Sequence, residues 1–293
     1  MTTYIVREGA LTTPIDLQSH IPPREIDKTG KAIHTNNDKS PMDNDKSPKL
    51  SEQQITEYWQ KGHLTVTGVF NTQTIYHAIQ DIEEWTRQFL SQLDDDKKSY
   101  FLEQNMAGQF LRKLDNPAYE RKVFRKMASD QGLVNCVEQL IGQGVRIYFS
   151  QIFCKSPLGS APKCIHQDNF YFGPDNHDGI ITAWIALDDA TIDNGCLFFG
   201  EETHKGPVYP HIAPKDEPFN LQVPQDITAK YSMTPAPVPR GGVSFHHGNI
   251  FHQSAANQSK TWRRAAAFHY VNKKTRLVTP RLSYDPSMVV QIT

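Results

Sequence analysis

The second half of the chain admits few folds. From Val145 onward the apolar residues come in short runs: VRIYFSQIFCK, HQDNFYFG, GIITAWIALDDA, GCLFFG, APVPRGGVSFHHG, IFHQSA and RRAAAFHYVN. Proline, glycine or asparagine separates each run from the next. Strands packed this closely leave no space for the crossover helices that parallel βαβ units require. The pattern therefore predicts an antiparallel sandwich or barrel of jelly-roll type.

The first half reads differently. Ser51, followed three residues later by Gln54, is a capping box, and Ile55, Tyr58 and Trp59 supply the apolar stripe of a helix that Gly62 ends. HLTVTGVF then reads as a strand. A longer helix is expected from about Thr72 to Leu93, on the spacing of Ile75, Ile79, Ile82, Trp85 and Phe89, and helical sequence resumes in NPAYERKVFRKMASDQGLVNCVEQLIG. Ahead of all this, residues 28–50 contain NDKSP twice and almost no large apolar side chain, so they cannot offset the entropy of ordering and read as a flexible loop. The expected organisation is an N-terminal extension over 1–50 and a single domain over 51–293, helical to about 141 with a jelly-roll core over about 145–275.

Composition narrows the function. The chain has 293 residues, 38% hydrophobic and 22% charged, with a formal net charge of -1 at pH 7. That balance offers no basic footprint for nucleic acid or an anionic membrane. No apolar stretch approaches the ~20 residues of a membrane span, and charged residues interrupt the N-terminus where a signal core would lie, so a cytoplasmic protein is expected. Cys136, Cys154, Cys164 and Cys196 show no C-x-x-C spacing, which suits reduced thiols better than disulfides or a zinc site. Cys154 and Cys164 lie close enough to His166 in sequence for one of them to line a pocket.

Candidate metal ligands stand in HQDNFYFG. If this run is a strand, His166 and Asp168 face one side and Gln167 the other. Two imidazoles and one carboxylate on one face hold a first-row metal and leave positions open for substrate and oxygen. The second imidazole must come from a distant strand, and GGVSFHHGNIFHQSAANQSKTWRRAAAFHY offers His246, His247, His252 and His269. Spacing from Asp168 does not choose among them. After His252, however, Asn257 and Ser259 mark a polar turn, and Arg263 opens the next apolar strand, where a guanidinium can reach inward to pair with a carboxylate.

These segments resemble the phytanoyl-CoA dioxygenase family of non-haem Fe(II) and 2-oxoglutarate-dependent oxygenases. The resemblance runs over about 50–280 and is carried by LSEQQITEYWQKGHLTVTGVF, HQDNFYFG, TAWIALDDATIDNGCLFF and the long segment that holds His252 and Arg263. It implies a mainly β fold with flanking helices and a double-stranded β-helix core, cupin-like in form. It further implies that His166, Asp168 and His252 are the iron ligands and the catalytic centre. Arg263, eleven residues after His252, would bind the distal carboxylate of 2-oxoglutarate. Trp184 would pack near this cosubstrate, Ser254 and Gln151 would line its pocket, and Lys113 is a further candidate there. The implied reaction consumes O2, releases succinate and CO2, and oxidises a C–H bond of a small-molecule substrate. The carboxylate at position 168 argues for hydroxylation over halogenation, because related halogenases carry a small residue there.

Two other functions compete: an inactive relative that only binds, and a jelly-roll metalloenzyme that does not use 2-oxoglutarate. Arg263 disfavours both. His246, His247 and His269 are read as structural or pocket-lining, and His34, His177 and His204 as solvated. GEETHKG stands where the family writes a proline-glycine-serine-histidine turn, so the loop around His204 is expected to differ. Tyr148, Phe149, Phe170 and Phe172 hint at a partly apolar pocket. A small molecule is the expected partner, with neither nucleic acid nor membrane.

Overall fold

In the computed structural model, residues 6–7, 10–11, 49–105, 108–213, 220–282 and 284–293 are described. Most of the repetitive 28–50 segment, with His34, lies outside them. Its last residue does not hang free: the Leu50 N–H donates to Gln139 Oε1 at 2.8 Å, and Gln139 Nε2 donates back to the Leu50 carbonyl at 3.0 Å.

Two short strands, β1 (Val6–Arg7) and β2 (Ala10–Leu11), pair with each other. Helix α1 (Glu52–Lys61) starts on the expected capping box, with Gln54 N–H donating to Ser51 Oγ and Ser51 N–H to Gln54 Oε1, and ends at Gly62 with φ 87°. Strand β3 (His63–Val66) is shorter than HLTVTGVF predicts, because Gly68 takes φ 68° and turns the chain. Helix α2 (Thr72–Ser91) is capped by Asn71 and buries Ile75, Ala78, Ile82, Trp85 and Phe89 along one side. Helix α3 (Asp95–Phe101), the hairpin β4 (Leu102–Asn105) and β5 (Gly108–Leu111), and strand β6 (Lys113–Asp115) follow. The predicted helical stretch divides into α4 (Pro117–Glu120), α5 (Lys122–Ala128) and α6 (Gln131–Ile141).

The β core comprises β7 (Val145–Lys155), β8 (Lys163–His166), β9 (Ile180–Ala186), β10 (Leu197–Gly200), β11 (Thr234–Ala236), β12 (Val243–His247), β13 (Phe251–Ser254), β14 (Arg263–Asn272) and β15 (Val290–Gln291). Two short helices interrupt it, α7 (Asp168–Phe172) and α8 (Gln225–Thr228). A seven-stranded sheet runs in the order β15-β7-β14-β9-β12-β3, with β6 also on β7, and a four-stranded sheet runs β11-β10-β13-β8. Every pairing in both sheets is antiparallel. This is the double-stranded β-helix, or jelly roll.

Strand alternation sorts the side chains of the large sheet. On β9 and β14, Ile181, Ala183, Ile185, Ala266, Phe268 and Tyr270 pack under the helices, sharing a core with Ile75, Phe124 and Leu133. The residues between them, Trp184, Ala186, Ala265 and Ala267, face the small sheet and pack with Leu197 and Phe199. With both faces covered, all seven residues of β9 are buried. The inner faces of β9 and β14 therefore form one wall of the space between the sheets.

HQDNFYFG is not one strand. β8 ends at His166, and Asp168 opens α7, which Gly173 closes at φ 55° with its N–H on the Asn169 carbonyl. Gly173 admits no side chain, since a Cβ would stand 2.2 Å from the Thr279 carbonyl oxygen. No helix among the described residues is long and apolar enough to cross a membrane.

Candidate active site

His166 and His252 face each other across the β8–β13 ladder with ring centroids 4.1 Å apart. His166 Nδ1 lies 2.8 Å from the Cys164 carbonyl and His252 Nδ1 lies 3.1 Å from the Ile250 carbonyl. A carbonyl only accepts, so each Nδ1 carries the proton and each Nε2 keeps a lone pair for a metal. Asp168, placed by the start of α7, completes the cluster: its Oδ1 is 3.6 Å from His252 Nε2 and 4.0 Å from His166 Nε2. One ligand atom from each of the three lies within 4.8 Å of the others, and all three residues are buried. The spacing and the N, O, N donor set fit a first-row divalent metal.

The other carboxylate oxygen is already engaged. Thr182 Oγ1 donates to Asp168 Oδ2 at 2.6 Å, while His246 Nε2 and His269 Nδ1 stand 3.4 and 3.6 Å from it. Having given its only proton to the carboxylate, the Thr182 hydroxyl accepts from His269 Nδ1–H at 2.8 Å. Burial pushes the Asp168 carboxyl up, but the surrounding imidazoles, His252 foremost, outweigh it and hold the group well below the usual carboxylate range. Burial drives His166 well below its ordinary value, so it stands neutral and ready to ligate.

Arg263 enters the same cavity from the first position of β14. It is 3% exposed, its guanidinium lies 5.4 Å from the centre of the Trp184 ring, and its Nε and Nη1 have no hydrogen-bond partner among the described residues. Burial lowers its pKa to about 10. Its neighbour Arg264 points the other way and forms a two-pronged pair with Asp188 at 2.8 and 3.0 Å. Gln151, Ser254, Trp184 and Lys113 line the cavity too, whose volume is about 620 Å³. Gln151 donates to Asp115 Oδ1 at 2.7 Å. Lys113 stands 3.4 Å over the Tyr100 ring and 3.8 Å from Asp115 Oδ2, and burial pushes it down to about 7.

The remaining histidines divide. His246 and His269 line the cavity and touch Asp168, whereas His247 turns away to Asp178 at 3.1 Å. His177 is exposed as expected. His204 is not solvated: it is buried, its Nε2 sits 3.1 Å from the Trp59 carbonyl, and its ring occupies the space where a Cβ on Gly62 would lie. Both Cys154 and Cys164 stand near the site, but only Cys154 lines the cavity; burial raises its thiol to about 12, and all four cysteines are free. Phe149 and Phe172 line the cavity, while Tyr148 and Phe170 do not. Sequence reasoning missed Thr182, although its placement two residues before Trp184 on an alternating strand was a usable signal.

Jelly-roll oxygenases that consume 2-oxoglutarate are the class of protein in which this fold and such a site occur together. Comparison with known proteins narrows the class: the family model described as phytanoyl-CoA dioxygenase (PhyH) matches residues 58–265, and the chain belongs to that family. A probable alpha-ketoglutarate-dependent hypophosphite dioxygenase of Stutzerimonas stutzeri is 27% identical over 229 residues, which is 75% of this chain and 78% of the relative. Among solved structures, the alpha-ketoglutarate-dependent carbocyclase SnoK from nogalamycin biosynthesis superposes with TM-score 0.65 at 19% identity, covering 83% of this chain and 97% of that one. EctD from S. alaskensis, with 2-oxoglutarate and 5-hydroxyectoine, gives TM-score 0.65 at 17% identity, covering 82% and 83%.

Proposed function

We propose that this chain is an Fe(II)- and 2-oxoglutarate-dependent dioxygenase that hydroxylates, or otherwise oxidises, a C–H bond of a small-molecule metabolite and releases succinate and CO2. His166, Asp168 and His252 hold the iron; Arg263 receives the distal carboxylate of 2-oxoglutarate, and Trp184, Ser254 and Gln151 line its berth. Iron with 2-oxoglutarate and O2 supplies the oxidising power, and the protein supplies position and exclusion of water. Residues 51–293 act as one catalytic domain in this reading.

The observation that carries it is Arg263, a guanidinium 3% exposed with two nitrogens lacking a hydrogen-bond partner among the described residues. A buried cation without a counter-charge is costly, and a carboxylate entering the cavity removes that cost. A pure binding module, or a metalloenzyme indifferent to 2-oxoglutarate, gives no reason for it. The named ligands of the relatives, hypophosphite and 5-hydroxyectoine, support a small molecule as substrate.

Each side chain has one task. Thr182 and the two carbonyls orient the ligands, the Trp184 ring lies against the guanidinium, and the two sheets keep bulk water out. The test is anaerobic addition of Fe(II) and 2-oxoglutarate, which produces the visible charge-transfer band of a chelated keto acid. His166→Ala and His252→Ala abolish the band, and His247→Ala keeps it. Loss of the band in His247→Ala but not in His252→Ala refutes the ligand assignment, and absence of succinate in aerobic turnover refutes the activity.

A further inference from the structure

Arg263 does not stand alone at its end of the cavity. Across the β7–β14 ladder its Cα partner is Lys155, and side chains directly opposite each other in an antiparallel pair share a face. The register around them agrees: Gln151 pairs with Ala267, Phe153 with Ala265 and Lys155 with Arg263, on the face that lines the cavity and packs between the sheets. Lys155 is 6% exposed. Like charges in a directly opposed pair are destabilising, and burying both adds the cost of desolvation, so packing gives no reason for the second cation.

The surroundings hold Lys155 in place without neutralising it. Its Nζ donates to the Ala161 carbonyl at 2.5 Å, and Glu103 on β4, which acts on it from beyond ion-pair reach, accepts the Ala161 N–H. Gly195 leaves space for its stem, since a Cβ there would lie 2.9 Å from Lys155 Cδ. Asn257 Nδ2 donates to the Lys155 carbonyl at 3.1 Å and to the Thr261 carbonyl at 2.8 Å, tying the end of β7 to the turn ahead of β14. Cys154 on its own strand and Cys196 beside Gly195 are thiols whose pKa burial raises, and Arg112, Lys113 and Lys163 are cations on neighbouring parts of the cavity wall. Burial first and Arg263 second push Lys155 down to about 7.

We propose that Lys155 is the second cation of the cosubstrate berth and receives the distal carboxylate of 2-oxoglutarate together with Arg263. This rests on the reading that Arg263 takes that carboxylate. An ammonium has three N–H bonds and Ala161 occupies one, so the others are available to the anion. A carboxylate between the two cations offsets their repulsion and favours the charged form of Lys155, so binding above neutral pH carries a proton into the site. Below pH ~7 Lys155 is charged before the cosubstrate arrives; as the pH rises above that value, affinity for 2-oxoglutarate falls by up to about tenfold per pH unit.

The experiment uses the full chain, loaded anaerobically with Fe(II) and titrated calorimetrically with 2-oxoglutarate about one unit above the pKa of Lys155, in two buffers of different ionisation enthalpy so that proton uptake is counted directly. Wild type is expected to take up about one proton more than Lys155→Met and to bind about tenfold more tightly or better, the worth of one charge-assisted hydrogen bond. The difference between the two proteins separates Lys155 from Lys113, which burial also lowers to about 7. Wild-type affinity in Lys155→Met overturns the proposal, and so does weaker binding with unchanged proton uptake, which marks a merely structural role. Wild type supplies a reading free of any substitution: an affinity that does not change between pH ~7 and ~9 also overturns it. A wild-type protein that gives no charge-transfer band, or Arg263→Ala with undiminished affinity, sinks the reading beneath and this one with it, whereas a normal band, a weakened Arg263→Ala and an unaffected Lys155→Met sink the role of Lys155 alone.

Discussion

Thr182→Val removes one hydroxyl and leaves the shape of the side chain intact. Thr182 is fully enclosed, and its hydroxyl makes the 2.6 Å bond to Asp168 Oδ2 while accepting from His269 Nδ1 at 2.8 Å. Without it, Oδ2 keeps only the longer contacts to His246 and His269, at 3.4 and 3.6 Å. A hydrogen bond to a charged group is worth ~1.5–3 kcal/mol. At ~1.4 kcal/mol per decade, metal affinity should fall ~10- to 100-fold, the range typical of lost partners behind a ligand. Competition of the purified protein against a fluorescent chelator for Co(II) or Fe(II) measures it, with circular dichroism to check the fold. Thr182→Ser restores the donor and should recover most of the affinity. Wild-type metal affinity in Thr182→Val, or no recovery in Thr182→Ser, refutes the argument that this hydroxyl commits the carboxylate to a single free oxygen.

Arg263→Ala strips the proposed anchor, and the half-saturating concentration of 2-oxoglutarate should rise by two to three orders of magnitude, from the ~3–5 kcal/mol cost of breaking a buried pair, with metal binding retained. Arg264→Ala should leave that titration unchanged and lower thermal stability through loss of the Asp188 pair. Because Nε and Nη1 of the buried Arg263 have no hydrogen-bond partner among the described residues, Arg263→Met should leave the metal-free protein as stable as wild type or more so, which a melting curve checks. Gly62→Ala should lower the melting temperature, since Gly62 has φ 87° and a Cβ there would lie 2.4 Å from His204 Nδ1. Stability of the metal-free chain should fall on acidification: burial holds His211 and His246 at about 4, against ~6.5 unfolded, so the unfolded state binds more protons in between. Their contribution is complete above pH ~6.5 and declines toward pH ~4, by up to ~1.4 kcal/mol per pH unit for each group. A pH-independent melting temperature across that window contradicts the assignment.

What could be read in advance was whatever depends on local chemistry or simple alternation. Ser51 with Gln54 defines a cap by hydrogen bonds three residues apart, and Arg263 and Arg264 take opposite faces because a strand has period two. The fold class followed from the density of short strands. Asp168 was placed correctly for a wrong reason: period-two reasoning set it beside His166 on a strand, but the chain turns into α7, and the side chain reaches the cluster from a helical turn. Aromatic residues with a glycine behind them suit either conformation, and the contact that decides, Asn169 N–H on the Gly248 carbonyl, joins residues far apart in sequence. His204 failed for the same reason. Its environment is a glycine at the end of α1, and no local pattern around GEETHKG reveals that. A bulge in β8, which sets His166 opposite His252 but Lys163 opposite Ser254, was also invisible, since a ladder irregularity belongs to two strands at once.

The proposed grips on 2-oxoglutarate stand on different sheets. His166 and His252 belong to the four-stranded sheet, and Arg263 to the seven-stranded one. On that reading the sandwich would behave as a caliper whose opening is set by the packing of Leu197 and Phe199 against Ala265 and Ala267, right beside the ligands, since Phe199 stands opposite His252 across the β10–β13 ladder. A diacid held between the jaws gauges that opening, so longer or shorter keto acids should be rejected by a dimension of the fold, however well their end groups match. On that reading succinate, one carbon shorter after decarboxylation, would no longer span the gap, and the jaws' fixed width would let the product go.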